Sequence, residues 1–122
     1  MNSKTVSYTF GAVFVAVGIL GFVPNPIVAP DGFFAVNTMH NIAHILTGVG
    51  FVAGAALSVP LRTIQLIGAA YVAVSIVGFV TTGNMLMGMV HINQADSWLH
   101  VALAAVIVSA AALLSGEERQ TA

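Results

Sequence analysis

One stretch decides the fold: Asn37-Thr-Met-His40-Asn41-Ile-Ala-His44, which recurs in modified form as Asn93-Gln-Ala-Asp96-Ser97-Trp-Leu-His100. In both copies the polar residues stand at positions i, i+3, i+4 and i+7, which places them on one face of an α-helix. The residues around both stretches are almost all apolar. The pattern therefore predicts two apolar helices, each carrying one polar stripe at a matched depth.

The composition predicts a membrane protein. Of the 122 residues, 58% are hydrophobic and 6% are charged, and the mean hydropathy is +0.99, whereas a soluble domain carries about 25% charged residues. A soluble fold of this length would expose too much apolar surface to stay dispersed. The net charge of −1 gives no indication of a nucleic-acid partner, and the absence of Cys excludes disulfides and thiolate metal sites. The expected partner is the lipid bilayer.

Apolar runs long enough to cross a bilayer as helices occur four times. They cover residues 5–23, 34–57, 63–80 and 94–114. Residues 24–32 and 81–90 are expected to be loops, residues 58–62 a short turn, and residues 116–122 a polar cytoplasmic tail. A signal peptide is the alternative for the first run, but that run is long for one and recurs inside the chain.

The few basic residues orient these helices. Lys4, Arg62 and Arg119 precede the first run, join the second to the third, and follow the fourth. In a four-span protein these positions share one side, which the positive-inside rule makes cytoplasmic. We therefore expect a multi-pass protein of the bacterial inner membrane with both termini in the cytoplasm. Both polar stripes then begin at the outer surface.

An internal repeat relates the two halves of this single membrane domain, residues 1–122. Gly11 corresponds to Gly68 (68 − 11 = 57), and Asn37 to Asn93 (93 − 37 = 56), so the repeats cover about 5–58 and about 63–115. The predicted fold is an all-α integral membrane four-helix bundle, made of two tandem helical hairpins. Because each repeat holds two spans, a pseudo-two-fold axis along the membrane normal should relate them. We then expect the second and fourth helices to meet.

At the level of motifs the chain resembles a small bacterial four-helix membrane family known only as a domain of unknown function. The resemblance covers nearly the whole chain. It is carried by the Gly-x-x-Phe/Tyr and Gly-Phe patterns of the odd-numbered helices, by residues 34–44, and by Asn93-x-x-Asp96-x-Trp98-Leu-His100. The resemblance implies the fold and the membrane location, and it implies no activity.

The leading functional hypothesis treats the stripes as structural. Asn37 and Asn93 stand where helix N-caps are needed, and Asp96 follows Asn93 at the N3 position. The remaining stripe residues would hydrogen-bond across helices and fix the register of the halves. These are Asn41, His44, Ser97 and His100. The protein would then be a non-enzymatic accessory or oligomerising subunit, in a homo-oligomer or a larger membrane complex.

The rival hypothesis is a metal or haem site. His44 and His100 should lie at equal depth, with His40 and Asp96 paired one turn further out, and such a group suits a transition metal ion. Alternatively, His44 and His100 would be the axial ligands of a b-type haem.

Other chemistries have weaker sequence support. Met85, Met87 and Met89, followed by His91, are soft ligands that suit Cu(I), although an apolar interfacial loop has the same composition. Below the stripes the sequence is apolar, which argues against a proton path through the membrane. No oxyanion donors accompany Ser97, so serine catalysis is not indicated.

Overall fold

The computed structural model describes residues 2–121 and contains four helices, joined at one end by short two-stranded sheets. The chain order is α1 (Ser3–Leu20), β1 (Val28–Ala29), β2 (Phe34–Ala35), α2 (Thr38–Ala56), α3 (Pro60–Val80), β3 (Met85–Leu86), β4 (Val90–His91) and α4 (Gln94–Thr121). The fold is all-helical apart from these two-residue strands, which lie in the connections between helices; β2 occupies the start of the run expected to be helical, and α2 begins only at Thr38. α3 begins earlier than expected because proline is well tolerated at the first position of a helix. α4 continues through the polar residues after 115 to Thr121.

α1 packs closely along α2 because two glycines face each other. A Cβ atom at Gly48 would lie 2.6 Å from the carbonyl oxygen of Gly11, and one at Gly11 would lie 2.8 Å from the carbonyl oxygen of Gly48. One turn away, the buried hydroxyl of Ser7 donates to the carbonyl oxygen of Phe51 at 2.7 Å. Small residues thus bring the two backbones together, as in many membrane helix pairs.

α3 packs along α4 in the same way but with more side-chain volume between the backbones. A Cβ atom at Gly68 would meet the side chains of Ile107 and Val108 at 3.1 and 3.2 Å, with no backbone atom closer than 3.6 Å. Two helical hairpins, α1–α2 and α3–α4, therefore form the two halves of the molecule.

The core shared by the halves lies towards the end of the bundle that holds the chain termini. Phe14 of α1 is its centre, with ring centroids 5.7 Å from Phe51 and 5.3 Å from Tyr71. Ile64, Ile107 and Leu114 complete it and are at most 1% exposed. This packed apolar layer fills the interior below the polar stripes.

Each end sheet joins the two ends of one interhelical connection. β1 and β2 pair in parallel, Val28 with Phe34 and Ala29 with Ala35. β3 and β4 pair antiparallel, Met85 with His91 and Leu86 with Val90. Their turn has positive φ at Met87 (54°) and Gly88 (74°), the geometry of a type I′ hairpin turn.

Three helices are long and apolar enough to cross a membrane, which indicates a membrane protein: α1, α3 and, as far as Gln120, α4. α2 has a similar length of 19 residues. Its polar stripe, which includes His40, Asn41 and His44, lowers its hydropathy. The helix that buries this polar stripe, α2, is thus the one that carries the candidate site.

Candidate functional site

Three histidine side chains meet inside the bundle, and we call them the histidine trio: His40 and His44 of α2, and His100 of α4. Their ring centroids are 4.6 Å apart for His40–His44, 5.7 Å for His40–His100 and 6.5 Å for His44–His100. Each is at most 5% exposed. One ring nitrogen from each lies within 4.8 Å of the other two. The spacing i, i+4 supplies two rings, and the second stripe supplies the third.

The backbone of the opposite half orients His40. Its Nδ1 lies 2.7 Å from the carbonyl oxygen of His91 in β4. Because a carbonyl oxygen only accepts, this contact places the proton on Nδ1 and leaves the lone pair on Nε2. A backbone carbonyl that fixes the tautomer in this way is the usual outer-shell partner of a metal-binding histidine.

His44 has a buried ring nitrogen without a partner. Its Nδ1 is fully enclosed and makes no hydrogen bond, and the same holds for Oδ1 of Asn41 one turn away. A buried polar atom left unpaired costs about 1–3 kcal/mol. An unpaired buried polar atom, in a ring that belongs to a cluster of three imidazoles, is a feature of sites built for a ligand.

The expected hydrogen bonds across helices are not what holds this cluster together. Within residues 2–121, the side chains of Asn41, His44, Ser97 and His100 form no hydrogen bond. His44 and His100 instead make ring contacts, His44 with Phe14 at 6.0 Å and His100 with Tyr71 at 5.9 Å between centroids. These four side chains, which form the inner half of the two stripes, are therefore closely packed but make no hydrogen bonds to the rest of the described chain.

Asp96 lies outside the histidine trio, and its carboxylate is hydrogen-bonded at the start of its own helix. Its carboxylate accepts from the backbone N–H of Asn93 at 3.0 Å, while the side-chain oxygen of Asn93 accepts from the backbone N–H of Asp96 at 3.0 Å. This is a capping box at the start of α4. The carboxylate that the four-ligand hypothesis assigned to a metal thus accepts a hydrogen bond from the backbone N–H of Asn93 at the end of the helix.

The two capping asparagines also tie the halves together. Asn37 caps α2 by accepting from the N–H of His40, and its amide donates to the carbonyl oxygen of Met89 at 3.0 Å. Asn93 in turn donates to the carbonyl oxygen of Phe33 at 3.0 Å. Each asparagine thus reaches the connection of the opposite half. We call these two hydrogen bonds the asparagine clasp.

The histidine trio borders a cleft between α2 and α3. This cleft has a volume of about 260 Å³, and all three histidines line it, together with Thr47 and Tyr71. The hydroxyl groups of Thr47 and Tyr71 are 3.4 Å apart, so we call it the hydroxyl cleft. A second cleft, of about 220 Å³ between α1 and α4, reaches His44 from the other side and is otherwise lined only by apolar side chains. We call it the apolar cleft.

The methionine hairpin stands apart from the trio. Met85, Met87 and Met89 are 41%, 76% and 53% exposed. His91 in the same hairpin has its Nε2 3.2 Å from the carbonyl oxygen of Pro30. The hairpin contributes to the buried site the His91 carbonyl group that orients His40, and Leu86 and Val90, which border the trio.

A haem does not fit between the histidines. The His40 ring contacts both His44 and His100, and so occupies the space that a macrocycle ligated by those two residues would need. The two clefts are also separate and each smaller than ordinary cofactor pockets of about 300–1,000 Å³. A single ion, in contrast, needs only the nitrogens that already converge.

Comparison with known proteins gives a family but no activity. No curated protein and no solved structure matches the chain. The model of one family, described as a domain of unknown function (DUF4383), matches residues 4–113. That range includes α2 and α3, α1 except its first residue, α4 as far as residue 113, and every residue of the candidate site. The protein therefore belongs to this family of unknown function, DUF4383.

Proposed function

We propose that this protein is a small four-span membrane protein that binds a divalent transition-metal ion, with Zn²⁺ as the reference ion, at the histidine trio. The observation that carries the proposal is the convergence of three buried imidazole nitrogens within 4.8 Å, one ring having an unpaired buried nitrogen. Imidazole nitrogen suits Zn, Cu, Fe and Ni. Three histidines leave a fourth position for water or a substrate.

The distances require a small contraction around the ion. Zn–N bonds are about 2.0–2.1 Å long, so two nitrogens on a tetrahedral ion are separated by about 3.3–3.4 Å. The trio nitrogens lie within 4.8 Å, and rotation of the rings about their side-chain bonds brings them closer. The adjoining clefts provide the space for that rotation. His40 is already held in the tautomer that presents Nε2.

The outer half of each stripe has a structural role in this proposal. Asn37 and Asn93 cap their helices and form the asparagine clasp, while Asp96 completes the capping box of α4. The structural hypothesis thus applies to Asn37, Asn93 and Asp96, and the metal hypothesis applies to the histidine trio. Asp96 is no longer a ligand in it.

The symmetry of the clasp supports the proposed pseudo-two-fold arrangement. The two clasp bonds join Asn37 to Met89 and Asn93 to Phe33. The repeat offset of 56 converts one into the other, since 37 + 56 = 93 and 33 + 56 = 89. An axis along the membrane normal explains this reciprocity.

The proposed orientation puts the trio in the outer leaflet. Lys4, Arg62 and Arg119 belong to the end of the bundle away from the sheets, which the positive-inside rule makes cytoplasmic. The metal would then approach from outside the cell. We propose that the protein acts there as a metal-binding subunit in a homo-oligomer or a larger membrane complex.

Zinc titration tests the proposal. The protein is purified into lipid nanodiscs, stripped with a chelator, and titrated with Zn²⁺ against a fluorescent competitor. We expect one ion per chain, and a loss of affinity above about 100-fold in His44→Ala and His100→Ala, because outer-shell changes alone cost 10–100-fold. Ser97→Ala is the matched control, since Ser97 lies in the same buried stripe outside the trio. Absence of binding, or equal affinity in all four proteins, would refute the metal site.

A further inference from the structure

The two clefts differ in one respect that the repeat makes visible. Every residue that lines the apolar cleft has its repeat counterpart in the wall of the hydroxyl cleft, and among these pairs Phe14 and Leu103 correspond to Tyr71 and Thr47. Both exchanges replace a hydrocarbon by a hydroxyl-bearing side chain. The apolar cleft meets only His44, whereas the hydroxyl cleft meets the entire histidine trio. One of two equivalent clefts is thus specialised for a polar group.

We infer that the hydroxyl cleft binds the head group of a membrane-dissolved quinone. Its volume of about 260 Å³ is slightly below the ~300–1,000 Å³ of pockets that enclose a whole drug-sized ligand. A single substituted ring fits such a space while its apolar tail remains among the lipids. The small side chains of Ala43 and Ala70 belong to its wall and are exposed on the bundle surface, where lipid surrounds the helices.

The polar groups of the cleft match a neutral ring that carries oxygen atoms. The Tyr71 hydroxyl donates to Oγ1 of Thr47 over a long 3.4 Å, a weak bond that a ligand carbonyl would replace, and His100 contributes a ring nitrogen. The ring centroids of Tyr71 and His100 are 5.9 Å apart at an interplanar angle of 70°. The His44 ring also lines the cleft and is 95% buried. The two carbonyl oxygens of a quinone lie on opposite sides of its ring, so that one accepts from Tyr71 and the other from an imidazole N–H.

The charge of the cleft excludes the anionic lipids. None of its lining residues is Lys, Arg, Asp or Glu, so a carboxylate or phosphate head group would be buried without a counter-charge. A lone hydroxyl, as in a sterol, would use only one of the converging polar groups. The edges of Tyr71 and His100 also favour a planar ring over an aliphatic head group. A quinone satisfies all these conditions.

This inference goes beyond the metal site and does not require it. The hydroxyl cleft shares the histidine trio with the metal site, but Tyr71, Thr47 and Ala70 lie outside the trio, and the binding involves no electron transfer. Quinone binding is therefore measured on zinc-free and zinc-loaded protein alike. Intact zinc binding without quinone binding overturns this inference alone, while quinone binding without zinc binding overturns only the metal proposal.

The test uses decyl-ubiquinone as the probe. Nanodiscs with the full-length protein are equilibrated with it, captured through the scaffold protein, and extracted for quantification, with empty nanodiscs giving the background partitioning. We expect one saturable equivalent per chain. Ala70→Leu, which fills the cleft, should weaken binding more than tenfold, and Tyr71→Phe should weaken it about 2–12-fold, the equivalent of one hydrogen bond.

The repeat supplies the matched control. Val13 holds in the apolar cleft the position that Ala70 holds in the hydroxyl cleft, so Val13→Leu adds volume at the equivalent site and should leave binding unchanged. Tyr71→Phe introduces the residue that already stands at position 14, and so tests the cleft even if Ala70→Leu misfolds. Uptake equal to empty nanodiscs, unchanged affinity in Tyr71→Phe, or equal losses in Ala70→Leu and Val13→Leu would each overturn the inference.

Discussion

The change His44→Leu should reverse its effect on stability when zinc is added. In the metal-free protein, Nδ1 of His44 is buried and unpaired, which costs about 1–3 kcal/mol. Leucine has no polar atom to satisfy, and a hydrophobic residue of similar size costs less than about 1.5 kcal/mol in misfit. We therefore expect metal-free His44→Leu to be more stable than the wild type by about 1 kcal/mol.

With zinc present the order should invert. Ligand binding to the folded state alone adds about 2.7 kcal/mol when the free ion is at 100 times its Kd. Only the wild type gains this stabilisation, so it should exceed His44→Leu by about 1–2 kcal/mol. A purely structural role for His44 predicts that the variant is less stable under both conditions.

Unfolding by SDS in mixed micelles measures both free energies. Trp98 is the only tryptophan, and its ring lies 5.1 Å from that of Phe79 on the neighbouring helix, so its fluorescence reports separation of α3 from α4. Titrations are run with a chelator and with buffered zinc, and Ser97→Ala serves as the control. If His44→Leu is the less stable protein in chelator, or if zinc stabilises both proteins equally, the reasoning about the unpaired nitrogen is wrong.

Two further substitutions test the packing and the capping. Gly48→Ala should lower the free energy of unfolding by about 1–3 kcal/mol, because its Cβ would lie 2.6 Å from the carbonyl oxygen of Gly11. Gly50→Ala is the control and should be neutral or stabilising, because the nearest neighbour of its Cβ would be 3.7 Å away. Equal effects of the two substitutions in SDS titration would contradict the close approach of α1 and α2. Asp96→Asn should lower stability by about 0.5–1 kcal/mol through the weakened capping box, yet change zinc affinity by less than about tenfold. Loss of zinc binding in Asp96→Asn would return this carboxylate to the ligand set.

The helices and the convergence of the histidines follow from patterns visible in the sequence. The apolar runs and the i, i+4 spacing of His40 and His44 depend only on helix geometry. The repeat then indicated that the helix of His100 is the counterpart of the helix of His44. The meeting of α2 and α4 through these rings therefore matches the expectation.

The end sheets and the role of Asp96 were harder to predict. Strands of two residues have no periodicity, and these depend on local backbone contacts within each connection. Asp96 stands at N3 of a helix and also one turn before His100, so the spacing permits both a cap and a ligand. Its reciprocal hydrogen bonds with Asn93 identify it as a cap.

The difference between the clefts is visible in the sequence when its two repeats are aligned. Aligning the repeats puts Tyr71 against Phe14 and Thr47 against Leu103. Positions that are the same in both repeats indicate the fold, whereas positions that differ indicate where one half has acquired a separate role. Only the structure places both exchanges on one cleft, beside the histidine trio.

X-ray absorption at the zinc edge tests the central claim most directly. The wild-type protein in nanodiscs, loaded with one equivalent of Zn²⁺, should give three nitrogen ligands at about 2.0–2.1 Å, with the outer-shell scattering of imidazole rings. In His44→Leu the imidazole contribution should fall or the zinc should be lost. A shell of oxygen ligands only, or a spectrum that the substitution leaves unchanged, would contradict the assignment of the histidine trio as a metal site.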